Sequence, residues 1–293
     1  MDSIFKAFWA EGLKNEGFPS KFTGTKIISY EELKRGVDKR DLEFAKNLVF
    51  NFLNGKVLIV KKSFGKELVE TLKKEVIKFW DNNPNTYHEM KEGCVDFHRV
   101  ITPEIAQKYS LGAVRHSTYF FPWNNGLGDS YDEIYNRWGY LKYVAGLNFD
   151  QYEKNTPKDI AIDRLQIVCY PPGCGGVEKH TDTDSNCNLA ISCHLSSRQN
   201  LDYKNGGFYA VNKDNVKIDI EPEINTGDMS VYCPTVEHGV SSIDPDYKEA
   251  YDWNSGIGRW WMGLFSPDSN EIKKRNTSKS LETFHSKHIS ENK

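Results

Sequence analysis

The sequence between residues 160 and 266 alternates short strand-like segments with turn-forming residues. Four such segments follow one another: 188–195, 207–211, 216–220 and 229–233. Turns such as the Lys-Asn-Gly-Gly stretch at 204–207 separate them. Short strands at this spacing are typical of an antiparallel jelly roll, whose sheets bury one face each against a common core. The second half of the chain is therefore predicted to be mainly β.

Two imidazoles and one carboxylate are placed around these strands in a metal-binding pattern. His180 and Asp182 lie two positions apart, so at the end of an extended strand both side chains project to the same face. His238 lies far downstream, after enough residues for several strands and a return to the same pocket. Two neutral imidazoles and one carboxylate leave three positions of an octahedral Fe(II) open for a cosubstrate and O2. The three residues are therefore predicted to be metal ligands and the catalytic centre.

Two further motifs flank the predicted metal ligands. Tyr170-Pro171-Pro172 precedes the His-x-Asp pair, and Asn225-Thr226-Gly227-Asp228-Met229 precedes His238. Over roughly residues 160–266, the chain resembles the isopenicillin-N-synthase-like branch of the Fe(II)/2-oxoglutarate-dependent dioxygenase superfamily. The resemblance implies a double-stranded β-helix core (a cupin-like jelly roll) with flanking helices. It also implies Fe(II) as the metal, 2-oxoglutarate as cosubstrate and O2 as oxidant.

The resemblance also indicates residues for the cosubstrate. Tyr170 stands where the family often has a tyrosine that contacts it, and Asn188 is a second candidate for the same pocket. The family binds the far carboxylate with an arginine on the strand after the distal histidine. Arg259 is the first arginine after His238, at a longer interval than the family's, and Trp261 replaces the family's serine. A guanidinium suits a carboxylate because its planar donors engage both oxygens; the alternative is a surface arginine at a strand end.

The remaining chain is expected to support one catalytic domain. It divides into an N-terminal region over 1–110, a core over 111–268 and a C-terminal tail over 269–293. In the first region, the hydrophobic spacing predicts a helix over 30–53, a strand over 56–60 and a helix over 67–80, and Ser63 is a plausible N-cap. The polar, charged tail is expected to be a frayed helix or partly disordered.

Candidate substrate contacts precede the core strands. Residues 113–121 are predicted to form a strand and 130–147 a helix. In the resembling family this part often lines the substrate pocket, which indicates four residues: Arg115, His116, Tyr119 and Trp123. The alternative is that they only pack the sheet against its covering helix.

Composition narrows the possible partners. The net charge is −3, and no Lys/Arg tract interleaves with aromatic residues, so a nucleic-acid partner is not expected. No apolar run approaches the roughly 20 residues that span a bilayer. The six cysteines form no C-x-x-C pair and the N-terminus lacks a signal pattern, so reduced thiols and a cytoplasmic location are expected.

The resemblance implies hydroxylation, or alternatively desaturation or cyclisation, of a small molecule or natural-product intermediate, with release of succinate and CO2. A protein side chain is the second choice of substrate, and the oligomeric state is not predicted. Three alternatives remain open. They are an Fe(II) oxidase of this fold that does not use 2-oxoglutarate, a zinc enzyme, and a non-catalytic cupin-like metal-binding module.

Overall fold

The computed structural model describes residues 3–282 as six helices and one large sheet of thirteen strands. The helices are α1 (Phe5–Glu16), α2 (Tyr30–Asp38), α3 (Leu42–Leu53), α4 (Lys66–Asn82), α5 (Pro103–Ala106) and α6 (Ser130–Val144). The strands are β1 (Gly24–Ser29), β2 (Lys56–Lys61), β3 (Phe97–Ile101), β4 (Ala113–Phe120), β5 (Arg164–Tyr170), β6 (Gly176–Thr181), β7 (Ala190–His194), β8 (Gly207–Val211), β9 (Lys217–Asp219), β10 (Met229–Tyr232), β11 (His238–Ser241), β12 (Arg259–Phe265) and β13 (Lys279–Ser280).

The sheet curls so that its two halves form the walls of a jelly roll. The strand order is β1-β2-β10-β7-β12-β5-β4-β6-β11-β8-β9, with β3 beside β4 and β13 beside β6. Strand β4 joins the halves, because residues 116–120 pair with β5 whereas Ala113 and Val114 pair with β6. The prediction of a mainly β chain with a double-stranded β-helix core and flanking helices is confirmed.

The N-terminal region differs from its prediction at two helix ends. The single helix predicted over 30–53 is two helices, since Arg40 has a positive φ of 51° and the Asp41 side chain accepts a hydrogen bond from Phe44 N to begin α3. Ser63 is not an N-cap. Its hydroxyl donates to Val60 O, and α4 begins after Gly65.

The helices cover one wall of the sheet and share its hydrophobic core. The spacing predicts a stripe of Leu68, Leu72, Val76 and Phe79 on α4. The first three are buried, and Phe79 is half-buried against the core. Each of the three buried side chains contributes about 1.5–3 kcal/mol by leaving water. All six cysteines lie within the described chain and are free. Among residues 3–282, no helix is long and apolar enough to cross a membrane.

The described part of the C-terminal tail is ordered against the core. Lys279 and Ser280 form β13, which pairs with Thr181 and His180 at the end of β6. The expected helix is wrong for 269–282, because the regular structure in this range is β13, which pairs with the edge of β6. The same expectation covered residues 283–293, which lie outside the described residues. The domain boundaries at 110 and 268 stay predictions.

Candidate metal centre

Three side chains converge where β6 ends and β11 begins. His180 and His238 are direct partners in the antiparallel β6–β11 pair, and Asp182 follows β6 with its backbone N–H bonded to Pro234 O at 2.9 Å. One potential ligand atom from each of the three side chains lies within 4.8 Å of the others. The sequence predicted these residues as ligands, and the structure brings them together.

Both imidazoles are oriented by a hydrogen bond to the backbone carbonyl two residues earlier. Nδ1 of His180 lies 2.8 Å from Glu178 O, and Nδ1 of His238 lies 2.8 Å from Val236 O. A carbonyl can only accept, so Nδ1 carries the proton in each ring and the lone pair is left on Nε2. The Nε2 atoms of His180 and His238 lie 3.7 Å and 3.5 Å from the two Asp182 oxygens. All three ligands therefore present free acceptor atoms to one point.

The protonation states suit a divalent metal. Burial, assisted by His238, lowers the pKa of His180 to about 4. Burial alone would raise the pKa of Asp182, but the neighbouring His238 and His180 hold it below its usual range. Near neutral pH, His180 is neutral and Asp182 is ionised, as metal binding requires. The donor set of two imidazoles and one carboxylate fits Fe(II).

A residue outside the sequence prediction supports Asp182. The hydroxyl of Ser278 donates to Asp182 Oδ1 at 2.6 Å. Outer partners of this kind orient ligating carboxylates. Ser278 lies in a polar segment that carries no pattern to indicate this role.

The three ligands line a cavity of about 420 Å³. Arg259 and Tyr170 also line it, and they are direct partners in the β5–β12 pair. Arg259 is only 1% exposed, so the alternative of a surface arginine is wrong. Its guanidinium lies 5.6 Å from the centre of the Tyr170 ring.

Arg259 has a protein carboxylate as partner, and no sequence pattern indicates this contact. Its Nε donates to Glu221 Oε1 at 2.7 Å and its Nη2 to Glu221 Oε2 at 3.2 Å, while Nη1 is buried without a hydrogen-bond partner. Burial would raise the pKa of Glu221, but the Arg259 charge lowers it to about 2. The pair is thus ionised, and one guanidinium donor is left for a ligand.

Of the other candidate ligand-contact residues, some line the cavity and some do not. Arg115 and Tyr119 line the cavity. Asn188, His116 and Trp123 are not among the described residues that line it, which corrects the ligand contacts predicted for them. Nδ2 of Asn188 donates to Ala145 O at 3.0 Å, and Nε1 of Trp123 donates to Cys94 O at 2.9 Å. His116 is fully buried and stacks on Trp80 at 3.7 Å, because alternate residues of β4 face the covering helix instead of the cavity.

No family model matches the sequence, and no curated protein does. Among solved structures, a full-length Neurospora crassa protein in complex with alpha-KG and thymine is 12% identical, with a TM-score of 0.51 over 93% of this chain and 98% of that one. The same protein with alpha-KG and 5-formyluracil is 13% identical, with a TM-score of 0.51 over 83% and 84%. A Pseudomonas putida prolyl-4-hydroxylase is 14% identical, with a TM-score of 0.48 over 76% and 97%. The two TM-scores of 0.51 show a shared fold, and at identities this low they show the fold alone.

Proposed function

We propose that this chain, which has the jelly-roll fold of the Fe(II)/2-oxoglutarate oxygenases, is itself an oxygenase that uses Fe(II), 2-oxoglutarate and O2. The observation that carries the proposal is the convergence of His180, Asp182 and His238 on the wall of one cavity. Their free atoms would occupy one face of the metal and leave the opposite face to the cavity.

The chain's own residues prepare this site for iron. His180, Asp182 and His238 would hold the metal, and the carbonyls of Glu178 and Val236 keep both rings in the required tautomer. The charge of Asp182 offsets one of the two positive charges of the ion. When bound, Fe(II) with 2-oxoglutarate and O2 supplies an oxidant strong enough to break an unactivated C–H bond.

The cosubstrate would lie between the metal ligands and Arg259. The free Nη1 of Arg259 is a buried donor in the wall of the cavity, and such a donor is costly unless a ligand pairs with it. The Tyr170 side chain is beside it and offers a second polar group to the same carboxylate. These contacts support Arg259 and Tyr170 as the cosubstrate contacts.

The reaction that this site supports best is hydroxylation of a small molecule, with release of succinate and CO2. Desaturation and cyclisation use the same oxidant. A cavity of about 420 Å³ is in the range of small-molecule sites. The retained Asp182 leaves no vacant ligand position of the kind that halogenases use for chloride.

A second candidate is an Fe(II) oxidase of the same fold that does not use 2-oxoglutarate. The Arg259–Glu221 pair favours it, because Glu221 takes two of the guanidinium donors that would otherwise bind the cosubstrate's far carboxylate. Under this candidate, Glu221 replaces the cosubstrate as the partner of Arg259.

The test is an anaerobic titration of the purified protein with Fe(II) and then with 2-oxoglutarate, followed by visible absorption. We expect the weak band of the iron–2-oxoglutarate chelate, and its loss in His180→Ala. His88→Ala, at a half-buried histidine that does not line the cavity, should keep the band. Iron binding without the band, but with O2 consumption, would favour the oxidase. Absence of iron binding would favour the zinc enzyme, and iron binding without any turnover would favour the binding module.

A further inference from the structure

Three arginines with unsatisfied donors surround the cavity beside the metal ligands. Arg115 on β4, Arg164 at the start of β5, and Arg275 all line it, and we name them the arginine cluster. The Nε atom of each is buried and has no hydrogen-bond partner. Within residues 3–282, none of the three forms an ion pair with a carboxylate, whereas Arg137, Arg198 and Arg259 each do.

Such an arrangement is unfavourable without a ligand. A guanidinium removed from water loses solvation, and an opposite charge or hydrogen bonds must compensate for the loss. Burial lowers the pKa of Arg164 to about 10, and the charges of Arg275 and Arg115 act in the same direction. Arg275 and Arg115 therefore each lie close enough to Arg164 to repel it, while the charge of Asp182 acts in the opposite direction.

Aromatic side chains hold the cluster without neutralising it. The Arg164 guanidinium lies 5.3 Å from the Tyr119 ring centre and 5.4 Å from that of Phe265. Both rings line the same cavity. Cation–π contacts of this kind fix the position of a guanidinium but leave its net charge in place. Arg164 Nη2 also donates to Gln166 Oε1 at 3.0 Å and Nη1 to Met90 Sδ at 3.7 Å, so neutral partners hold the guanidinium and its charge is left for an anion.

A cosubstrate bound at Arg259 lies far along the strands from Arg164. In the β5–β12 pair, Arg164 is opposite Phe265 at one end and Arg259 is opposite Tyr170 at the other. The two arginines are therefore separated by the length of β5, roughly 20 Å at about 3.3 Å per residue. A five-carbon diacid bound at Arg259 is shorter than this distance, so Arg164 faces a part of the cavity that the cosubstrate leaves free. Arg115 lies nearer the Arg259 end of the sheet, because the neighbouring His116 pairs with Cys169.

We infer that the primary substrate is an organic anion, whose carboxylate or phosphate group binds the arginine cluster while its oxidised carbon lies beside the metal ligands. That the anion is a substrate rests on the proposed function, but binding of the anion requires no turnover. Guanidinium groups bind carboxylates and phosphates through the same planar donors. Tyr119 and Phe265 provide apolar walls for the rest of the molecule.

The test measures binding by calorimetry on the full chain, anaerobically, with and without Fe(II) and saturating 2-oxoglutarate. The probes are isophthalate and phenyl phosphate, each compared with its neutral counterpart, isophthalamide or phenol. We expect at least one anion to bind at least tenfold more tightly than its neutral counterpart and to remain bound with 2-oxoglutarate present. The two anions distinguish a carboxylate site from a phosphate site.

Charge-removing variants assign the binding to the cluster. Arg115→Gln, Arg164→Gln and Arg275→Gln should each weaken the anion at least fivefold, whereas Arg35→Gln, on the exposed face of α2, should not. Arg275 lies outside the helices and strands, so its variant tests the site even if a strand variant fails to fold. Equal affinity for the neutral counterparts, no binding of either anion, displacement by 2-oxoglutarate, or an equal loss in Arg35→Gln would overturn the inference. A binding anion with no oxygenase turnover would overturn the proposed function alone.

Discussion

The hydroxyl of Ser278 is 2.6 Å from Oδ1 of Asp182, although 95 residues separate the two in the sequence. The contact exists because β13 pairs with the end of β6 and carries the preceding residues over the cavity. Residues 275–278 line that cavity. The C-terminal segment is thus part of the candidate metal centre.

Ser278→Ala should weaken Fe(II) binding while the protein stays folded. Loss of the hydroxyl leaves Asp182 Oδ1 without the donor that orients it, and such outer contacts change metal affinity by about 10-fold to 100-fold. Competition with a metal indicator measures the affinity. Ser280→Ala is the matched control, because Ser280 lies in the same segment but donates to Glu178 Oε1. An equal loss in both variants would assign the effect to docking of the segment.

Variants of Arg259 and Glu221 should change 2-oxoglutarate affinity in opposite directions. Arg259→Gln removes the charged donor and should weaken 2-oxoglutarate at least tenfold, with less effect on Fe(II). Glu221→Gln removes the competing carboxylate and should strengthen 2-oxoglutarate, since the Arg259 charge is no longer offset. Anaerobic titration of the chelate band measures both affinities. Unchanged affinity in both variants would place the anchor elsewhere.

The buried Lys142–Asp163 ion pair should matter to stability. Both side chains are fully buried, and Asp163 also accepts a hydrogen bond from the Ser266 hydroxyl at 2.8 Å. Lys142→Met leaves a buried carboxyl without its cation and should lower the free energy of unfolding by about 3–5 kcal/mol. Urea unfolding followed by circular dichroism measures it. The double variant Lys142→Met/Asp163→Leu should recover part of the loss, and no recovery would argue against charge as the cause.

Stability should fall as the pH drops from about 6.5 to about 4. Burial lowers the pKa of His116 to about 4 and that of His194 to about 4. At pH values between these pKa values and the usual histidine pKa of about 6.5, the unfolded chain binds protons that the folded chain does not. Unfolding is therefore favoured as the pH falls. Each group contributes a slope of up to about 1.4 kcal/mol per pH unit.

Urea unfolding at pH 6.5, 5.5 and 4.5 checks this expectation. His116→Phe keeps an aromatic ring against Trp80. It should reduce the slope of the free energy of unfolding against pH by up to the contribution of one histidine. His88→Phe, at a half-buried histidine, is the matched control for the exchange of a histidine for phenylalanine. Identical slopes in wild type and His116→Phe would show that His116 is not the titrating group.

Local sequence patterns were enough for several elements and for the metal ligands. The apolar run after Arg259 is β12, the stripe from Leu68 to Val76 is the buried face of α4, and the two-residue spacing of His180 and Asp182 places both side chains on one side of a strand end. These features depend on the period of a helix or a strand, which neighbouring residues express directly.

By itself, the sequence determined the jelly-roll strands, the His-Asp-His pattern and the arginine that begins β12. Tertiary structure alone decided which side chains meet: Glu221 with Arg259, Ser278 with Asp182, and the arginine cluster from three separate segments. It also turned His116 away from the cavity. The physical reason is that burial and charge pairing depend on contacts between residues far apart in the chain, whereas strand and helix periods are local.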